Sequence, residues 1–334
     1  MRFHHQITAA ALALALSAPL AAQQQPTREK PAVITAIPGV IAKGAKWQRI
    51  WQGPMNADGM TAGSDGYLLF AQEQANAVMK LWPDGRTWVA YPYAKGAGAV
   101  SVDAQGRVFT VERTCTDPGL KIACTEPTRV TQLAPEHKVI ADKFPDGNGL
   151  GRLNDLQADG HGGAWYTQGG LYHAAADGTV STVAEGGGLF TNGVALSPDG
   201  KTLYVTNKAT IVAFNVGPDG STSNRRDFVT LANEAKGFGG DGMAVDNAGR
   251  LYVTGDAGIH VIEASGKEIG VIPVPRRAIT LAFAGPQRNT LYVGAMGGVD
   301  PAGKEWHTPD GVRNDAMTIY KVTTLATGPA NRPK

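Results

Sequence analysis

Apolar and polar positions alternate along this chain in short runs, each introduced by a turn containing Gly or Asn. Six segments share the pattern: SDGYLLFAQ from Ser64, AQGRVFTVE from Ala104, GHGGAWYTQ from Gly160, SPDGKTLYVTN from Ser197, NAGRLYVTG from Asn247 and PQRNTLYVGA from Pro286. A short apolar stretch such as GVALS or GMAVD precedes each turn, so every unit opens with two strands joined as a hairpin. Most units carry a further strand candidate, often after a second turn such as WPDGR or AADGT. The units recur about every 40 to 55 residues, which suits a four-stranded blade. Six such units predict an all-β fold, a six-bladed β-propeller. A solenoid would demand more uniform repeats. The segment KWQRIWQG, before the first unit, is placed to complete the last blade beside MTIYKVTT near the C-terminus. That closure would remove exposed sheet edges. The expected organisation is a flexible leader over residues 23–45, the propeller over 46–325 and a C-terminal tail over 326–334.

Composition adjusts this picture in three places. Gly 43 and Pro 20 among 334 residues fit many tight turns and short strands. A net charge of +2 gives no reason to expect nucleic acid or an acidic membrane surface as partner. The N-terminal run ITAAALALALSAPL follows a short, weakly basic start and precedes Ala21-Ala22. It is too short to span a bilayer comfortably, so Met1–Ala22 is expected to be a secretory signal peptide and the mature protein periplasmic or secreted. No later segment is apolar enough to span a membrane. The two cysteines, Cys115 and Cys124, close a small loop in CTDPGLKIAC if an oxidising compartment joins them as a disulfide. Zinc would need more soft ligands.

The chemistry emerges when the turn residue of each unit is traced back eight positions. The residues reached are Asp58, Gly98, Asn154, Asn192, Asp241 and Thr280, the last through alignment of Arg288 with Gly200. Equivalent positions in a propeller lie at equal height around its channel. Asp58, Asn154, Asn192 and Asp241 would therefore converge at one mouth as two carboxylates and two carboxamides. Hard divalent cations choose such oxygen ligands, Ca²⁺ first, with Mg²⁺, Mn²⁺ and Zn²⁺ as alternatives. Taken singly, each of these residues also reads as a turn residue beside glycine; the common offset is what distinguishes them.

The motifs RLNDLQAD, TNGVALSPDGKTLYVTN, GDGMAVDNAGRLYVTG with GVIPVP after it, and TLAFAGPQRNTLYVGA together resemble the regucalcin/gluconolactonase propellers, a family that also includes diisopropyl fluorophosphatase-like enzymes. The resemblance extends from about Asp58 to Val322. It implies a divalent cation held by a Glu, one or two Asn and an Asp from different blades. Asn154, Asn192 and Asp241 match ligand positions. Asp58 stands where the family has Glu, a shorter carboxylate that would hold the ion farther away, admit another water or alter metal preference. Arg152 matches an arginine that contacts substrate in family lactonases, and Asn154 adjoins the same region. Thr280 replaces another polar residue common in the sixth blade. The cysteine loop and GGVDPAGKEWHTPDGVRND look like additions around the pocket mouth.

The expected activity is metal-dependent hydrolysis of a lactone, derived from a sugar acid such as gluconolactone. The cation would polarise the carbonyl and Asp241 would act as general base toward water, with metal-bound water as the competing activated species. Alternatives are a fluorophosphatase-like phosphoester hydrolase, with Asp241 attacking phosphorus, and a non-enzymatic ligand-binding propeller stabilised by its metal. Other catalytic signals are weak. There is no G-x-S-x-G elbow and no H-E-x-x-H pair. The histidines after the leader are scattered, and EGGG from Glu185 lacks the Lys-Ser/Thr of a phosphate loop. Glu112, Arg113 and Arg129 suggest an ion pair or a solvated edge.

Overall fold

The structure is a computed structural model that describes residues 29–114, 126–234, 239–306 and 316–330. The signal segment Met1–Ala22, Cys115 and Cys124 with their proposed disulfide, and the HTPDGVRND part of the second added loop lie outside the described residues. Twenty-four strands form six four-stranded antiparallel sheets, each a blade of a six-bladed β-propeller. In sequence order the innermost strands are Asp58–Ala62, Ala97–Val102, Leu156–Ala158, Thr191–Leu196, Met243–Val245 and Ala278–Ala284. Blades 1 to 5 each run outward through consecutive strands. Blade 6 takes its outermost strand from the other end of the chain: Gln48–Gly53 pairs antiparallel with Met317–Thr323, bringing Arg49 opposite Tyr320.

The hairpins predicted from the repeat are the inner pair of strands in each blade. The turns of blades 2 and 5 share one construction. Asp103 Oδ1 accepts from the backbone of Gln105 and Arg107, and its Oδ2 from the Arg107 side chain. Asp246 does the same with Ala248 and Arg250. A residue of positive φ then reverses the chain, Gly106 at 78° and Gly249 at 79°. In blade 6 Arg288 stands at this place and adopts the left-handed conformation at 51°, which explains why the sixth repeat aligns without its glycine.

The hydrophobic core lies in layers between adjacent blades rather than at one centre. One layer joins Tyr252 and Ile259 of blade 5 to Phe283 and Val293 of blade 6. That layer also corrects the expected flexible leader. Over the described part of residues 23–45, Ile34, Ile37, Val40 and Ile41 are buried against blades 5 and 6. The C-terminal segment joins them, since the amides of Leu325 and Ala326 both donate to the Val40 carbonyl, at 2.8 and 3.2 Å. The leader is held because four aliphatic side chains cover apolar surface that the blades alone leave bare.

Candidate functional site at the channel mouth

The six offset positions meet at one place. Asp58, Gly98, Asn154, Asn192, Asp241 and Thr280 all line a cavity on the propeller axis. In blades 1, 2, 4 and 6 the ring residue sits at an irregularity in the inner hairpin, where the pairing register shifts at Asp58/Met60, Ala97/Ala99, Thr191/Val194 and Ala278/Thr280. A bulge of this kind turns a side chain out of the alternation of its strand. In blades 3 and 5 the strand begins two residues later, and Asn154 and Asp241 lie on the incoming chain. The backbones crowd here. A Cβ on Gly193 would collide with the Asp241 carbonyl oxygen and stand 3.1 Å from its carbon. The glycine after Asn192 is therefore a contact between blades rather than a turn residue.

The free volume on the axis is about 10 Å³, the scale of a single water or ion. Six oxygen-bearing side chains line so small a space, and four of them, Asp58, Asn154, Asn192 and Asp241, fit a hard cation by the chemistry of the donor set. No group of three His, Cys, Asp or Glu side chains that could hold a metal occurs among the described residues, so any such ion depends on the two carboxamides. The Asp241 carboxylate and the Asn192 carboxamide make no hydrogen bond with another described residue. Burial, reinforced by the neighbouring charge of Asp58 and opposed by Arg277, pushes the Asp241 carboxyl up to about 8. Burial also raises Asp58, against the pull of Arg113.

Three further charged residues shape the site. Arg113 ends the second strand of blade 2 and its side chain turns inward, 6% exposed. It donates through Nε to the Leu153 carbonyl at 2.9 Å and through Nη1 to Glu73 at 2.8 Å. Its Nη2 donates to Asn154 Oδ1 at 3.2 Å and lies 3.6 Å from Asp58 Oδ2. Of the ion pair or solvated edge expected for this stretch, the structure has ion pairs: Arg129 with Glu112, and Arg113 with Glu73 beside the axial ring. The missed signal was the blank at Gly98: a Cβ there would lie 2.6 Å from the Arg113 guanidinium carbon. Arg152 does not line the axial cavity; its guanidinium stands 3.5 Å from Glu73 Oε1, with the side chain 37% exposed. Asp155 does line the cavity, yet its oxygens accept from the amides of Leu156 and Val194 and stitch blade 3 to blade 4. Thr280 is engaged as well, accepting from the Met60 amide at 3.2 Å. None of the described histidines lines the cavity. His260 is buried between Glu234 and Glu268, and His173 pairs with Asp159.

A propeller that brings one repeated position of every blade to an axial cavity, polar in five blades and glycine in blade 2, defines a class, and the sequence places the chain within it. Residues 56–297 match the SMP-30/Gluconolactonase/LRE-like region, and the chain belongs to that family. It is 33% identical over 190 residues to a pentonolactonase of Haloferax volcanii, a match covering 53% of this chain and 64% of that relative. The chain therefore spans just under two thirds of that relative's length. The fold is similar to that of a gluconolactonase from Xanthomonas campestris, with a TM-score of 0.64 at 20% identity over 89% of this chain and 96% of that one. It is also similar to a calcium-binding regucalcin from Agrobacterium tumefaciens, with a TM-score of 0.58 at 18% identity over 84% and 96% of the two chains.

Proposed function

We propose that this protein is a lactonase that opens a sugar-acid lactone at the axial cavity with the help of one divalent cation, Ca²⁺ before Mg²⁺, Mn²⁺ or Zn²⁺. The observation that carries the reading is the convergence of Asp58, Asn154, Asn192 and Asp241 on a cavity of ionic size. The lactonases named among its relatives support the choice of reaction, and the calcium-binding neighbour supports the choice of ion. When bound, the cation supplies the positive charge that polarises an ester carbonyl and keeps Asp241 in its carboxylate form.

The chain's own residues account for the rest. Asp241 takes a proton from the attacking water; burial and the neighbouring Asp58 raise its basicity, and the cation opposes them. A bond forms from water oxygen to the carbonyl carbon, the ring C–O bond breaks, and the proton passes to the departing ring oxygen. The product is a hydroxy acid. Arg113 donates to Asn154 Oδ1, which leaves the carboxamide N–H groups to donate to substrate. Arg152, at the partly exposed rim beside Glu73, is suited to orient the sugar hydroxyls. Export directed by Met1–Ala22 would place this activity in the periplasm or outside the cell.

The test is hydrolysis of aldonolactones, aliphatic lactones and a phosphotriester by chelated protein, before and after each cation is restored. Cation-dependent opening of an aldonolactone is the expected result. Turnover of the phosphotriester alone would replace the reaction. A fall in melting temperature on chelation, with no turnover of any substrate, would leave a binding propeller.

A further inference from the structure

We propose that Arg113 acts as a resident cation in the acidic ring. It holds Asp58 and Asn154 to itself, so that a bound divalent cation is carried mainly by Asn192 and Asp241. This inference rests on the metal-dependent reading above and concerns how the ring's four donors divide their work.

Three observations lead to it. First, the ring position of blade 2 has no side chain, and the Arg113 guanidinium fills the space beside it; any Cβ on Gly98 would run into that group. Second, the guanidinium is fixed from several sides. Glu73 neutralises it through Nη1, the Leu153 and Asn154 carbonyls accept from it, and its Nη2 faces both Asn154 Oδ1 and Asp58 Oδ2. A planar fork held this way is far less free to withdraw than a lysine would be. Third, the donors divide unevenly around the axis. Asp58 Oδ1 accepts from the Gly59 amide at 2.9 Å while Oδ2 faces Arg113. Asn154 Oδ1 already accepts from Arg113. On the opposite side, the side-chain oxygens of Asn192 and Asp241 accept no hydrogen bond from any described residue.

Electrostatics then sets the direction. A guanidinium touching Asp58 repels a dication brought to the same carboxylate and has already taken up much of its charge. Glu73 offsets part of this repulsion but lies on the far side of the guanidinium, bonded to Nη1 rather than Nη2. The Asp58 carboxylate fits the arrangement: it lines the axial cavity while one oxygen faces Arg113 and the other the Gly59 amide.

The test is calorimetric titration of the full chain with calcium chloride, which reads affinity independently of turnover. In the wild-type background, Asp58→Asn should change the dissociation constant by no more than about threefold, whereas Asp241→Asn should weaken binding by a hundredfold or so. Arg113→Met should tighten binding about tenfold and make Asp58→Asn costly when the two are combined. Glu73→Gln/Arg113→Met removes the buried pair together and should also tighten binding. Arg113→Lys keeps the charge on a freer side chain and should tighten binding less than Arg113→Met. Circular dichroism melting checks that each variant is folded. If Asp58→Asn is as damaging as Asp241→Asn in the wild-type background, the division of labour is overturned while the metal reading stands. That comparison does not require any Arg113 variant to fold. If neither wild type nor Arg113→Met binds Ca²⁺, Mg²⁺, Mn²⁺ or Zn²⁺, both readings fall.

Discussion

Single side chains decide the chemistry here, and two carboxyls make it measurable. Asp241 is the proposed base, so Asp241→Asn should lower lactone turnover by roughly 10²- to 10⁴-fold, read as kcat with the cation in excess. Full turnover in that variant would remove Asp241 from the role. Glu112 carries the second measurement. It is almost wholly buried, Oε1 has no hydrogen-bond partner among the described residues, and burial pushes the carboxyl up to about 7 against the pull of Arg129 and Lys95. Because the folded value exceeds the ordinary 4.5, folding takes up a proton between those two points. The stability Glu112 contributes is full below its ordinary value and is lost as pH rises through about 7. Replacing it with Gln should flatten the stability profile by roughly 2 kcal/mol across that window, measured by urea unfolding near pH 5 and near pH 8. An unchanged difference between the two pH values would mean that Glu112 is ionised in the fold. At this scale the sequence was partly legible. The offset of eight residues found all six ring positions because equal places in a repeat become equal heights in a propeller. Arg113 escaped it: it follows the second strand of blade 2, outside the register of the count, and meets the ring only through the gap at Gly98.

The elements explain why the offset worked. Each inner hairpin ends in a tight turn on one face of the propeller, anchored in blades 2 to 5 by Asp103, Asp159, Ser197 and Asp246, and delivers its ring residue near the start of the strand on the other. The hydrophobic alternation made these hairpins visible, and the turn glycines fixed their register. The irregularities at Asp58/Met60 and Thr191/Val194 were not visible, because a bulge leaves no composition of its own. The glycines beside the ring carried an ambiguous signal, since turns and close backbone approach both select them. Their structural role can be tested at Gly193. Gly193→Ala should force blades 4 and 5 apart and destabilise the protein by about 2 kcal/mol, seen as a lower urea midpoint with an unchanged slope. No loss of stability would show that the inner strands can separate freely at this height.

For the whole molecule, the prediction concerns the leader. Ile41 is fully buried beneath blades 5 and 6, so Ile41→Ala should cost about 2 to 4 kcal/mol by opening a cavity. A loose leader would give no change. Its packing was hidden in the sequence because PAVITAIPGVIAKG has neither the alternation of a strand nor the periodicity of a helix; its aliphatic residues answer to a surface built by segments more than 200 residues away. The same separation governs blade 6. The pairing of Arg49 with Tyr320, and the hold of Leu325 and Ala326 on Val40, join the first described residues to the last. During synthesis, five blades can form in turn as they emerge, but the sixth is complete only once Met317–Thr323 has been made to pair with Gln48–Gly53. Until then the strand Gln48–Gly53 has no partner and the core layer over Ile34 and Ile41 stays open. The growing chain thus carries an unpaired strand and a greasy surface while all the blades between are made, the features that invite aggregation and engage chaperones. The clasp that makes the finished ring edge-free is therefore also the step on which its maturation waits.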